Sequence, residues 1–129
     1  DAKGTVNLNY HLCEGTVNVD GKNHILTTAY DGPSNMKLQC FAEKKASIRE
    51  KEGWRSTAYR VRVPRTSVSF DVDKNDSEAV RYITIIYPSK NAASFPAFKA
   101  KFLNKKFDEN GVKIEISVDG KKRQLEYKL

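Results

Sequence analysis

The sequence has few of the side chains that most catalytic and metal sites require. Its 129 residues include two histidines and two cysteines, and neither pair has the close spacing of structural zinc ligands. The glycine-rich motifs GxxxxGK[ST] and GxGxxG, which hold nucleotide phosphates, are absent. There is also no apolar run of membrane-spanning length, and the mean hydropathy is −0.64. We therefore predict no catalytic residue, no metal, no cofactor and no insertion into a membrane.

The two cysteines, Cys13 and Cys40, bear on the compartment of the protein. An even pair in a short chain is typical of an oxidised, secreted domain with one disulfide, and the Asn75-Asp76-Ser77 acceptor for N-glycosylation fits secretion too. The chain starts at Asp1 without a methionine, which we interpret as removal of a leader or trimming. The alternative is a pair of buried free thiols in a cytosolic protein. We predict a single secreted domain over residues 1–129, stapled by a Cys13–Cys40 disulfide.

Alternation of apolar and polar residues dominates the sequence and indicates antiparallel strands. Asp20-Gly21 and Asp119-Gly120 each separate two such runs, and this dipeptide is a strong hairpin signal. The segment 81–87 is apolar on both faces, so we expect a central strand that Pro88 ends. The predicted strands cover residues 17–19, 24–30, 59–63, 67–72, 81–87, 114–118 and 121–127.

Two segments carry helix signals. Residues 42–51, AEKKASIREK, are rich in helix formers and are followed shortly by Gly53. Residues 96–110 begin with proline, precede Gly111 and place four large apolar side chains at helical spacing, although Phe98 and Phe102 also fit a strand. The predicted fold class is α+β, a mainly antiparallel β-sheet with one or two helices packed on it.

Positive charge is in excess and unevenly distributed. Lysine and arginine outnumber the acidic residues by 23 to 16, and residues 44–65 hold eight basic residues against Glu50 and Glu52. Arginine binds oxyanions through two parallel hydrogen bonds and aromatic rings offer stacking faces, so this segment predicts an anion-binding surface. We interpret the lysines in 99–106 and 121–123 as solvated faces. The predicted anion-binding residues are Lys44, Lys45, Arg49, Trp54, Arg55, Tyr59, Arg60, Arg62 and Arg65.

Three stretches resemble the ribonuclease-like secreted effectors of powdery-mildew fungi. Residues 10–16, YHLCEGT, are similar to the aromatic-x-x-Cys element that opens those proteins. YRVRVP at 59–64 and AVRYITIIYPSK at 79–90 look like their central sheet. The resemblance implies a ribonuclease fold without catalytic residues, which binds RNA in host cells and is sensed by immune receptors.

Three functions remain in view. The first is a secreted, non-enzymatic binding protein, such as a pathogen effector, whose anionic partner is RNA or an acidic host protein, or which a host immune receptor recognises. The second is a β-sandwich-like extracellular module that binds a protein or an anionic glycan. The third is an active ribonuclease that uses His11 or His24.

Overall fold

A computed structural model describes residues 3–90, 94–105 and 111–128, and these residues form ten β-strands and no helix. The first five strands are β1 (Gly4–His11), β2 (Thr16–Asp20), β3 (Ile25–Ala29), β4 (Asn35–Ala42) and β5 (Ser47–Arg55). The other five are β6 (Val63–Lys74), β7 (Tyr82–Ser89), β8 (Phe98–Phe102), β9 (Val112–Val118) and β10 (Lys121–Tyr127).

The strands form three antiparallel sheets. The first sheet has the order β1-β6-β5, the second β2-β3-β4-β7 and the third β10-β9-β8. Hairpin turns link β2 to β3 and β9 to β10, as the two Asp-Gly pairs predict, and both hairpins are confirmed.

The main core lies between the first and second sheets. Phe70 and Val68 from β6 meet Leu26 from β3 and Leu38 and Cys40 from β4, and all five are at most 2% exposed. Burying each large side chain contributes about 1.5–3 kcal/mol, so this contact holds the two sheets together as a sandwich.

The third sheet packs on the opposite face of the second. Lys37 is directly paired with Tyr87, and because Leu38 beside it enters the core, Lys37 faces away from the first sheet. Its ammonium group donates to the Pro96 carbonyl at 2.8 Å and lies 4.8 Å from the centroid of the Phe98 ring. Tyr87 contacts the same ring, with centroids 5.7 Å apart. The fold therefore has three layers, with the second sheet in the middle.

A second buried cation fixes the other end of the third sheet. The Arg81 guanidinium lies 4.3 Å from the centroid of Phe102 and donates to the carbonyls of Asn104 and Lys105. Glu43 forms an ion pair with it. Because burying a charge without a partner is costly, the ion pair with Glu43 lowers the free-energy cost of placing Arg81 in the interior.

The central strand of the first sheet is buried on both faces. Ser67, Ser69 and Asp71 alternate with the core residues of β6, yet each is at most 5% exposed. Asp71 accepts hydrogen bonds from Asn7 at 2.6 Å, from Arg49 Nε at 2.9 Å and from Ser69. Burial alone would raise the pKa of Asp71, but the hydrogen bonds from Ser69, Arg49 and Asn7 outweigh it and lower the pKa to about 2.

Both predicted helices are wrong, so the α+β class is wrong and the described chain is all-β. Half of 42–51, residues 47–51, lies in β5, where Ile48 pairs with Phe70 and nine residues are in register with β6. Tertiary pairing here overrides helix propensity. In 96–110, alternation of Phe98, Ala100 and Phe102 with lysines forms β8, and residues 106–110 lie outside the described part.

Two predicted strands need correction. Residues 59–62 lie in the loop before β6, because Arg60 takes a left-handed φ of 63° that breaks the extended run. Strand β7 includes Pro88 and lies at the edge of the second sheet. Proline is accepted there because an edge strand has a free N–H side, and the third sheet explains why β7 is apolar on both faces.

The predicted disulfide is also wrong: Cys13 and Cys40 are free thiols. Alternation along β4 turns Cys40 into the core, whereas Cys13 is exposed between β1 and β2. Burial raises the pKa of the Cys40 thiol to about 11.

Replacing Asp71 with asparagine should lower the free energy of unfolding at pH 7 by about 2 kcal/mol, because each pKa unit is worth about 1.4 kcal/mol. A lowered pKa stabilises the fold above the ordinary value near 4, and this contribution disappears as pH falls towards 2. Urea unfolding of wild type and Asp71→Asn should therefore differ at pH 7 and converge near pH 2. A constant difference across this range would contradict the assignment.

A thiol reagent should modify one cysteine per chain in the folded protein and two in denaturant without reductant, since Cys13 is exposed and Cys40 buried. The Cys13→Ser variant should show no fast reaction. Finding no reactive thiol in unreduced, denatured protein would show that the two cysteines form a disulfide.

Candidate functional site: a cationic hairpin tip

The loop between β5 and β6 gathers arginines and aromatic residues at one end of the first sheet. We call residues 54–65 the hairpin tip. It contains Trp54 and Tyr59 with the four arginines at positions 55, 60, 62 and 65. Trp54 is 46% exposed and Tyr59 is 87% exposed, so both rings are available to a partner.

An arginine guanidinium lies over each aromatic ring of the hairpin tip. The Arg62 guanidinium lies 4.1 Å from the centroid of Trp54, and that of Arg60 lies 5.2 Å from the centroid of Tyr59. Such stacking orients the planar guanidinium and leaves its N–H groups free at the edge to donate to an oxyanion.

Local hydrogen bonds hold the turn that presents these pairs. The Ala58 carbonyl accepts from the Val61 N–H at 3.1 Å and from the Ser56 hydroxyl at 2.9 Å. Arg60 follows with its left-handed φ of 63°, an uncommon conformation for a residue with a side chain. Strained residues of this kind cluster at ligand-binding sites.

Close packing on β6 supports the base of the hairpin tip. A Cβ atom at Gly53 would lie 2.3 Å from Ser67 Oγ and 3.2 Å from the Arg65 carbonyl, so a side chain there would require both Ser67 and Arg65 to shift. Arg65 packs beside it, and its buried Nε has no hydrogen-bond partner among the described residues.

Acidic residues limit the cationic surface to the hairpin tip. A groove of about 700 Å³ runs beside Trp54 and is lined by Glu50 and Glu52 as well as Arg65. Arg55 donates to Glu14 at 2.7 Å and is neutralised. Arg65 is partly buried at the base, so Arg60 and Arg62 are the exposed arginines of the hairpin tip that form no ion pair within the described residues.

Three of the predicted anion-binding residues lie elsewhere. Arg49 pairs with the buried Asp71, which makes it a structural residue. Lys44 pairs with Asp76 at 2.8 Å, just beyond the far end of β6, and Lys45 follows it. Because β6 is twelve residues long, this end lies roughly 35 Å from the hairpin tip. The structure thus brings together Trp54, Tyr59 and the arginines, and leaves out Lys44, Lys45 and Arg49.

The two histidines do not converge on one site. His11 Nδ1 lies 2.8 Å from the Ser67 hydroxyl on the outer face of the first sheet. His24 Nε2 lies 3.2 Å from the Ala46 carbonyl, and its ring packs edge-on against the core residue Phe70. They lie on opposite faces of the sheet, so they cannot act as the acid and base of a ribonuclease.

The described part of the chain contains neither a cluster of metal-binding side chains nor a membrane-spanning helix. None of its His, Cys, Asp and Glu side chains come together in groups of three or more that could hold a metal ion. It contains no helix with the length and apolar character needed to cross a membrane.

One row of lysines that we interpreted as solvated faces from the sequence comes together across the third sheet. Lys99 on β8 and Lys122 on β10 lie directly opposite Ser117 on β9, on the same face of the third sheet. The available signal was the alternation in 98–102, which separates the lysines from the phenylalanines once β8 is recognised as a strand.

Comparison with known proteins finds relatives of one kind. No family model matches the chain. It is 46% identical over 127 residues to a heparin-sulfate lyase of Bacteroides stercoris and 33% identical over 135 residues to one of Bacteroides thetaiotaomicron. A solved heparinase III structure superposes on 99% of the chain with a TM-score of 0.94 and 51% identity.

These relatives overturn three predictions. The resemblance to fungal ribonuclease-like effectors is wrong, because the similar proteins are heparin-sulfate lyases. The predicted roles as an effector, an RNA-binding protein and a pseudoenzyme depended on that resemblance and are not supported. The prediction of a non-enzymatic protein is contradicted too, since the relatives are named as enzymes. The second hypothesis, a β-sandwich module with an anionic glycan partner, fits better.

The chain matches only part of the length of each relative. The alignments cover 98% and 100% of this chain but 19% of each curated relative, and 20% of the solved structure. Over nearly its whole length, the chain is therefore similar to a segment that makes up about a fifth of a heparin-sulfate lyase.

Proposed function

We propose that this chain is a β-domain of a secreted heparin-sulfate lyase and that its hairpin tip contacts the sulfated glycan. The observation that carries this proposal is the pair of cation–aromatic stacks, Arg62 on Trp54 and Arg60 on Tyr59. The lyases that the chain resembles supply the class of ligand. We assign the hairpin tip a binding role and no step of bond cleavage.

The chemistry of the hairpin tip suits a sulfated sugar. A guanidinium donates two parallel hydrogen bonds to an oxyanion, and its weak hydration lowers the cost of the contact. The exposed rings of Trp54 and Tyr59 offer apolar faces to the C–H groups of a sugar ring. Together they recognise the charge and the ring of the same ligand.

An exposed apolar strip on the third sheet supports placement within a longer protein. Ile114 and Val112 line a groove of about 490 Å³ together with Phe102. Leu125 and Tyr127 are directly paired with Ile114 and Val112, and they are 50% and 66% exposed. Contiguous apolar surface of this kind is usually covered by another domain, as expected for one fifth of a lyase.

The Arg60→Ala/Arg62→Ala double variant should bind a heparin hexasaccharide about tenfold or more weakly, because a loss of 1.4 kcal/mol is already tenfold. Titration calorimetry at two sodium chloride concentrations measures this change. Salt should weaken wild type more than the variant, since the variant has lost two charge contacts.

The matched control is Lys44→Ala/Lys45→Ala, which removes the same charge at the far end of β6. It should retain affinity within about twofold, because exposed ion pairs such as Lys44–Asp76 contribute little. An equal loss of hexasaccharide affinity in both double variants would show that binding depends on net charge alone, and it would refute the hairpin-tip site. So would wild-type binding of unsulfated heparosan with the affinity of heparin.

A further inference from the structure

We propose that Lys99, Ser117 and Lys122 form a second binding site, for a single sulfate group, on the outer face of the third sheet. The ligand class rests on the proposed function, whereas the recognised chemistry is that of a tetrahedral oxyanion. The site belongs to a different sheet from the hairpin tip and uses lysine in place of arginine.

The register of the third sheet sets the geometry of this site. Lys99 pairs directly with Ser117 across β8 and β9, and Lys122 pairs with the same serine across β9 and β10. Directly paired residues share a face, and neighbouring strands lie about 4.8 Å apart, so the lysine backbones are about 10 Å apart. Both ammonium groups can reach an oxyanion above the serine.

These three residues line a shallow concavity of about 420 Å³, together with Gly120 at the turn. Its volume is sufficient for a sulfate and part of a sugar ring. Gly120 has no side chain, and a Cβ atom added there would meet no atom within 4 Å, so this side of the concavity is open.

Ser117 is the feature that distinguishes this surface from an ordinary row of lysines. The residue is 8% exposed and lines the concavity, and its hydroxyl has no hydrogen-bond partner among the described residues. The hydroxyl oxygen itself is not fully buried, so it opens into the concavity and is available to a ligand. A bound oxyanion would accept its hydrogen bond between the two ammonium groups.

The charges around the concavity leave room for an anion. Glu115 lies in the next row and pairs with Lys101 at 3.3 Å and with Lys122 at 3.9 Å. Lys99 forms no ion pair within the described residues. Glu115, which also lines the concavity, is thus one carboxylate beside three ammonium groups and pairs with two of them. An ammonium group is a strongly hydrated point charge suited to a compact anion.

Single substitutions in this row should weaken heparin binding independently of the hairpin tip. Lys99→Ala and Lys122→Ala should each reduce hexasaccharide affinity by about threefold to tenfold, and Ser117→Ala by about threefold. The control is Lys121→Ala, which removes the same charge from the neighbouring position. Lys121 pairs with Val118 and faces the other side of the sheet, so its loss should change affinity by less than about twofold.

The Glu115→Gln variant should bind the hexasaccharide a few times more tightly, because it removes a competing anion and releases Lys101 and Lys122. General destabilisation would not produce tighter binding, so this result separates a binding role from a structural one. Unchanged or weaker binding by Glu115→Gln would count against the site.

The source of the oxyanion is resolved by NMR titration of the chain with inorganic sulfate, heparin hexasaccharide and unsulfated heparosan. The site requires the Ser117 amide to shift with sulfate and with heparin, and not with heparosan. A shift with sulfate alone would overturn the glycan assignment, and no shift with either would overturn the site. If substitutions at Lys99, Ser117 and Lys122 weaken binding while hairpin-tip substitutions do not, the hairpin tip is not the glycan site and the proposed sulfate site stands. If only hairpin-tip substitutions weaken binding, the proposed sulfate site is wrong and the proposed function stands.

Discussion

The burial of β6 on both faces is the constraint on which the rest of the structure depends. Phe70 closes the sandwich core on one side, and Asp71 gathers Asn7, Ser69 and Arg49 on the other. Such a strand cannot slip by one residue without placing a carboxylate in the apolar core. Its register therefore fixes β1 and β5, and with β5 it fixes the hairpin that carries the exposed arginines.

The third sheet, which forms the outer layer, is attached by contacts of buried cations. Lys37 and Arg81 each lie against an aromatic ring of β8, and Arg81 is neutralised by Glu43. These contacts attach the third sheet by its apolar face and leave its lysine face free. In the interior, cations therefore stabilise the contact between layers, and on the surface they are the side chains that we propose to contact an anionic ligand.

Local signals in the sequence were sufficient for some elements and misleading for others. The Asp20-Gly21 and Asp119-Gly120 hairpins were predictable because turn chemistry is set by adjacent residues. The proximity of the arginines to Trp54 and Tyr59 was predictable because these residues are close in sequence, whereas the loop at 59–62 was predicted as a strand. The helix at 42–51 was wrong because the pairing of nine β5 residues with β6, a strand distant in sequence, outweighs the preferences of alanine, glutamate and lysine. The row around Ser117 required three strands in register, which composition does not reveal.

We propose that the arginines at the end of the first sheet, placed by β6, bind a sulfated glycan. The most direct test is hydrogen exchange of the backbone amides with and without a heparin hexasaccharide. A bound glycan should slow exchange in residues 56–62, where opening is local. At the same short labelling times the amides around Phe70, which exchange only through global unfolding, should remain unexchanged with or without the glycan. Protection confined to other surfaces, with 56–62 unchanged at saturation, would contradict it.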